Sequence, residues 1–172
     1  VGEYFDYDKQ KVATWIDGTK VDGNIQSAAF DFPIRNAVKQ ATAYSNWTKL
    51  SQASLATDPQ YSRYAVTFVE NHDTQWRSAT EQQDPIKSDT LVANAYILAM
   101  PGTPCVFMKH WIDWKPEIKN MILLRNLVGI SNTSSFKCNE SGVTYYSFTS
   151  TGTNGNLYAV VGTKANTVTP DK

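Results

Sequence analysis

Apolar and polar positions along the chain follow two spacings, and the order in which those spacings recur predicts a repeated unit. Residues 2–5 read as the end of a strand, and Asp8 then stands as an N-cap ahead of Val12, Trp15 and Ile16, an apolar face at helical spacing. Asp17-Gly18 and Asp22-Gly23 mark turns. Ala28-Ala29-Phe30-Asp31-Phe32 predicts a second strand, with Pro33 placed to open a helix that carries Ile34, Val38 and Ala41. Residues 64–69 predict a third strand, and residues 89–100 a helix bearing Leu91, Val92, Ala95, Ile97 and Leu98, stopped by Pro101-Gly102-Thr103-Pro104. Residues 105–108 predict a fourth strand, and Pro116 opens a helix through Ile118, Met121, Ile122, Leu124 and Leu127 that Gly129 ends.

Four consecutive strand-then-helix units imply a parallel sheet covered by helices. An open doubly wound sheet and part of a closed barrel both satisfy that pattern. The character changes near Ser131: Val143-Thr144-Tyr145-Tyr146-Ser147-Phe148 and Leu157-Tyr158-Ala159-Val160-Val161 flank Thr151-Gly152-Thr153-Asn154-Gly155-Asn156, a hairpin signal. The expected organisation is an α/β region over 1–131 followed by an antiparallel β module over 132–172, whose last residues, 167–172, carry no obvious closing strand.

With 172 residues, 41% of them hydrophobic and 12% aromatic, the chain can bury a real core, so disorder is excluded. Sixteen Lys and Arg balance sixteen Asp and Glu, which removes any electrostatic argument for nucleic acid or an anionic membrane as partner. The expected ligand is neutral, or its charge is handled locally. Cys105 and Cys138 fit neither a metal cluster nor a dense disulfide framework, and burial as small apolar side chains is the simple expectation. No apolar run of about 18 residues is present to span a bilayer.

The candidate chemistry sits at the strand ends. Val1-Gly2-Glu3-Tyr4-Phe5-Asp6 and Thr67-Phe68-Val69-Glu70-Asn71-His72-Asp73 are apolar runs that finish in carboxylates, and in a barrel such endings converge on one face. That arrangement suits a carboxylate-based hydrolase. Taken one at a time the residues have plainer readings: Glu3, Asp6 and Glu70 as solvated charges, Asp31 as a structural carboxylate, Trp76, Trp111 and Trp114 as packing. No Gly-rich phosphate loop follows any predicted strand, which counts against a doubly wound nucleotide-binding protein.

The order Gly2-Glu3-Tyr4-Phe5-Asp6, Phe30-Asp31-Phe32-Pro33, Phe68-Val69-Glu70-Asn71-His72-Asp73 and Met100-Pro101-Gly102-Thr103-Pro104 resembles the second half of the α-amylase family of glycoside hydrolases. The resemblance covers nearly the whole chain. It implies strands 5 to 8 of a (β/α)8 TIM barrel with their helices over 1–131, and the start of a C-terminal β-sandwich domain over 132–172. It implies a retaining hydrolase of α-1,4-linked glucans such as starch, glycogen or maltooligosaccharides, in a secreted or periplasmic setting. Cleavage needs an acid to protonate the departing oxygen and a carboxylate on the opposite face of the sugar. By resemblance Glu3 is the general acid/base, with a proton held by partial burial and neighbouring carboxylates. Asp73 is the carboxylate that stabilises the oxocarbenium-like transition state, His72 donates to sugar hydroxyls, and Asn71 supports the loop. Trp111, just past the fourth strand, is the aromatic chosen for a sugar subsite. No segment here matches the family's nucleophile, whose aspartate ends the fourth barrel strand. The chain is therefore expected to be inactive alone, a carbohydrate-binding piece awaiting the N-terminal half of the barrel. No cofactor is expected in this segment and no metal ligand can be named, calcium being implied only for the larger protein.

Overall fold

The computed structural model describes residues 1–81 and 83–167; the final expected span, 168–172, lies outside the described residues. Helix α1, Lys9–Asp17, begins where the Asp8 carboxylate accepts from the Gln10 amide at 2.8 Å, and it buries Val12, Ala13 and Ile16. Strand β1, Ala29–Phe30, leads into α2, Phe32–Tyr44, with Asp31 as N-cap and Pro33 in the first turn, where its missing N–H leaves nothing unpaired. Ser45 ends α2 in the left-handed region. Strand β2, Ala65–Phe68, is buried at every position. Helix α3, Thr90–Ala99, β3, Thr103–Cys105, and the paired helices α4, Met108–Asp113, and α5, Lys115–Val128, complete the α/β region.

The parallel sheet has the order β1-β2-β3, extended by a parallel bridge from Gly2 to Ala29. Its register pairs Ala29 with Ala65, and Val66, Thr67 and Phe68 with Thr103, Pro104 and Cys105. Successive strands are thus neighbours and each is followed by a helix, the arrangement predicted. The fourth strand lies two residues earlier than its apolar run suggested. Gly102 explains the shift: at φ +91° it turns straight into the sheet, and a Cβ there would sit 3.0 Å from Thr67 Cγ2 and 3.2 Å from the Ala65 carbonyl oxygen. Met108, the last residue of the expected strand, opens a helix instead.

A second sheet, antiparallel in the order β4-β5-β6, comprises β4, Ser135–Ser141, β5, Tyr145–Gly152, and β6, Gly155–Gly162. The hairpin turn is tighter than predicted, two residues between the paired Gly152 and Gly155. Strand β4 was not foreseen, because Ser-Phe-Lys-Cys-Asn-Glu-Ser offers little apolar alternation. The expected burial of the cysteines is also corrected: Cys105 on β3 and Cys138 on β4 are free and exposed.

The two sheets share one core. Tyr96 of α3 meets Tyr146 and Phe148 of β5 edge-on, with ring centroids 6.2 and 5.3 Å apart, and the same cluster of buried side chains reaches Val12, Ala29 and Ala65. Helix α3 lies between the parallel sheet and the β module, so its sequence is apolar on nearly every side. The hairpin also closes the end of α5. Thr153 and Asn154 amides donate to the Gly129 and Val128 carbonyls at 3.1 and 2.9 Å, and the Asn154 amide side chain donates to Leu127 at 3.0 Å. Those carbonyls would otherwise lack intrahelical partners. A Cβ on Gly152 would fall 2.2 Å from the Val128 oxygen, so only glycine lets the two backbones come this close.

A buried cation fixes the junction of α3 with β3. The Arg125 guanidinium of α5 donates to the Leu98, Met100 and Gly102 carbonyls at 2.9, 2.6 and 2.8 Å, and burial lowers its pKa from 12.5 to about 10. A planar fork suits three diverging acceptors at a helix C-terminus, where the dipole also favours positive charge. Arg125→Met is expected to lower the unfolding free energy by about 3 kcal/mol, measured by urea denaturation, because three carbonyls lose a charged donor. Arg125→Lys should recover only part of that loss.

Candidate active site

The sheet brings the strand ends named by the sequence to one edge. Because Gly2, β1, β2 and β3 run parallel, Glu3, Asp31 and the Glu70-Asn71-His72-Asp73 segment all leave the sheet in the same sense. In open α/β sheets that edge is where ligands bind. Gly2 and β2 are two strand spacings apart, roughly 10 Å between backbones, a gap that two carboxylates with their side chains can narrow. Trp111 stands on α4, beyond the end of β3.

Glu3 is placed by its neighbours. The Gly2 amide donates to Ala28 at 2.8 Å and the Phe30 amide to Gly2 at 3.3 Å. The Trp15 indole lies over Gly2, where a Cβ would meet Cη2 at 2.1 Å, and Tyr4 stacks on Trp15 with centroids 6.3 Å apart. The Glu3 side chain itself is exposed, which corrects the expected partial burial. Gly2 forms the outer edge of the parallel sheet, so among the described residues no strand lies beyond it to cover Glu3.

A closed turn presents His72 and Asp73. The Asn71 side-chain oxygen accepts from the Asp73 and Thr74 amides at 3.1 and 2.9 Å, while the Thr74 hydroxyl accepts from the Asn71 amide at 3.0 Å. Both side chains point outward, His72 79% and Asp73 60% exposed, with Nε2 and Oδ2 3.4 Å apart. Arg77 donates to the His72 carbonyl and, at 2.6 Å, to Glu81.

Below this turn lies a buried polar chain. Glu70, read from sequence as a solvated charge able to line the cleft, is buried: Oε1 accepts from the Ile86 amide at 2.8 Å and Oε2 faces His110 Nε2 at 2.9 Å. His110 Nδ1 is 3.2 Å from the Asn94 amide nitrogen, which also donates to the Thr90 carbonyl at 2.8 Å. The tautomer with its proton on Nε2 satisfies both contacts. A carboxylate in an apolar setting needs such partners, and no local pattern announces them because Ile86 and His110 lie on two other segments. Trp111 is half-buried beside this chain, with Lys115 Nζ 5.7 Å from its ring centre. Asp31 is buried as the cap of α2, accepting from Ile34 and Ala56 amides at 3.2 and 2.8 Å, and burial pushes its pKa up to about 6.

A further ion cluster braces the loop after the turn. Asp84 takes Arg35 at 2.5 Å, the Tyr7 hydroxyl at 2.8 Å and Lys39, while Arg35 also donates to the Asp84 carbonyl. These partners lie 45 to 77 residues away in sequence, out of reach of any local pattern.

No model of a protein family matches the chain. It is, however, 35% identical over 121 residues to "Probable alpha-amylase 2" of Arabidopsis thaliana, covering 69% of this chain and 28% of that protein. It is 41% identical over 85 residues to the alpha-amylase type B isozyme of Hordeum vulgare, covering 48% of this chain and 54% of that protein. It is 31% identical over 150 residues to the glucan 1,4-alpha-maltotetraohydrolase of Stutzerimonas stutzeri, covering 82% and 27%. The chain belongs to the α-amylase family. It spans between about a quarter and a half of the length of these relatives. AmyP, solved in complex with maltose, is similar in fold, with a TM-score of 0.59 at 12% identity over 84% of this chain and 41% of that one.

Among the described residues of this α-amylase family chain, no three His, Cys, Asp or Glu side chains come close enough to hold a metal ion. No helix among the described residues is long and apolar enough to cross a membrane.

Burial acts to raise the Asp84 pKa, but hydrogen bonds from Lys39, Tyr7 and Arg35 outweigh it and hold the value at about 2, below the ordinary 3.8. Between those values the unfolded chain binds more protons than the folded one, so the stabilisation is complete above the ordinary value and fades as pH falls towards 2. The advantage of wild type over Asp84→Asn in urea midpoint is expected to be constant from pH 7 to about 4 and gone near pH 2.

Proposed function

We propose that the chain forms the C-terminal half of a (β/α)8 barrel and the start of a β-sandwich domain, and that it carries part of the active site of a retaining α-glucan hydrolase. The observation behind this reading is the shared sheet edge at which Glu3 and the Asn71-closed turn bearing His72 and Asp73 emerge. Glu3, the acid/base, gives its proton to the glycosidic oxygen as the bond to the anomeric carbon breaks, and later takes one from water. Asp73 stays ionised and stabilises the oxocarbenium-like transition state. His72 donates to hydroxyls of the sugar at the cleavage point, and the exposed part of Trp111 offers an apolar wall to a neighbouring ring. The relatives named as amylases and a maltotetraohydrolase point to α-1,4-linked glucose as the substrate class.

Two carboxylates do not complete a retaining mechanism, which also needs a nucleophile on the opposite face. No residue of this sequence matches that member. Alone, then, the chain behaves as a non-catalytic carbohydrate-binding piece, a second reading favoured by the parallel sheet, whose outer members Gly2 and β3 have no further partner among the described residues.

Incubation of the chain with a chromogenic maltooligosaccharide is expected to give no turnover; turnover that Glu3→Gln abolishes would refute the need for an outside nucleophile. In a longer protein that supplies the nucleophile, Asp73→Asn should lower kcat by about 10²-fold or more, and activity above about a tenth of wild type would remove Asp73 from the transition state.

A further inference from the structure

A cleft of about 530 Å³ opens between α2 and the loop that follows the Asn71–Thr74 turn, with Lys39, Tyr44, Trp76, Glu81, Asp84 and Lys87 in its lining. Glu3, His72, Asp73 and Trp111 are not part of that lining. Its size falls within the range of small-molecule sites, about 300–1,000 Å³.

Two aromatic rings in the lining stand in water. Tyr44 is 73% and Trp76 64% exposed, although each ring carries enough apolar surface to favour the core. The lining itself carries two charges of each sign, Lys39 and Lys87 with Glu81 and Asp84. Asp84 is held by Arg35, Lys39 and Tyr7, and Glu81 by Arg77, so neither carboxylate is left free to capture a cationic ligand. The ligand that matches exposed aromatic faces rimmed by polar groups is itself two-faced and neutral. A pyranose has that character, with C–H groups on its ring face and hydroxyls at its edge.

We propose that this cleft is a second carbohydrate site, in which Tyr44 and Trp76 stack on glucosyl units of an α-glucan while the sheet-edge site holds another part of the same polymer. The inference rests on the substrate class proposed above. The salt-bridged Asp84 braces the floor of the cleft, which reduces the ordering cost of binding. Trp76 follows Asp73 by three residues, and its neighbour Arg77 is bonded to the His72 carbonyl, so a glucan held here is kept near the sheet edge at raised local concentration.

The test is an NMR titration of the chain with maltoheptaose, a neutral linear α-1,4-glucan, following the Trp76 indole N–H and the His72 ring separately. Trp76→Phe assigns the indole signal. The Trp76 signal should shift saturably, Tyr44→Ala should weaken that binding about tenfold, and the Trp76 titration should persist in Asp73→Asn, weakened at most by loss of the second contact. A His72 titration with Trp76 unmoved would overturn the second site and leave the sheet-edge reading intact. The reverse result would support the second site and count against the sheet-edge reading, and silence at both positions would overturn both. Shifts at Trp76 produced by inorganic phosphate but not by maltoheptaose would overturn the proposal as well, as would loss of the Trp76 titration in Asp73→Asn.

Discussion

Burial of Ala65–Phe68 on both faces is the constraint on which the rest of the molecule depends. A strand with no solvent on either side must have all its backbone groups paired and its neighbours packed. β1 and β3 supply the pairing in parallel register, and α2 and α3 pack against the strand. Everything beyond Phe68 must then emerge at a fixed point and in a fixed direction. That is how four apolar residues, none of them reactive, determine where Asn71, His72 and Asp73 stand.

The polar groups sort by depth around that strand. Three buried charged groups find their partners within the protein: Asp31 two amides and Glu70 an amide and His110 at the edge of the site, and Arg125 three carbonyls at the opposite end of the strands. Glu3, His72 and Asp73 are left to solvent, carried by backbones that Trp15 and Asn71 hold in place. Buried charges with good partners cost little, and exposed ones retain their capacity for a ligand. The division is what a polar substrate site needs from its scaffold.

Sequence made the repeating unit legible because each unit carries both a period and punctuation. Asp8, Pro33 and Gly129 act at the positions their chemistry predicts, since capping and left-handed turns are decided within a few residues, whereas Asp31, read as part of a strand, caps α2. The ordered strand ends likewise pointed to the carboxylates that share one edge. What sequence could not carry was contact at long range. Glu70 looked solvated because His110 lies 40 residues away, and the Arg35–Asp84 pair spans 49. β3 shifted because Gly102 needed room against Thr67, and β4 went unseen because exposed strands need little apolar alternation.

The hairpin that covers the end of α5 links two parts of the chain more closely than a change in sequence character near residue 131 suggests. Helix α5 leaves carbonyls that only the turn at Thr153 and Asn154 satisfies, and the hairpin reaches them only because Gly152 has no side chain. The same helix carries Arg125, which holds the approach to β3. The β module is therefore a fitted lid rather than an appendage: its folding sets the last turn of the helix whose guanidinium steadies the parallel sheet.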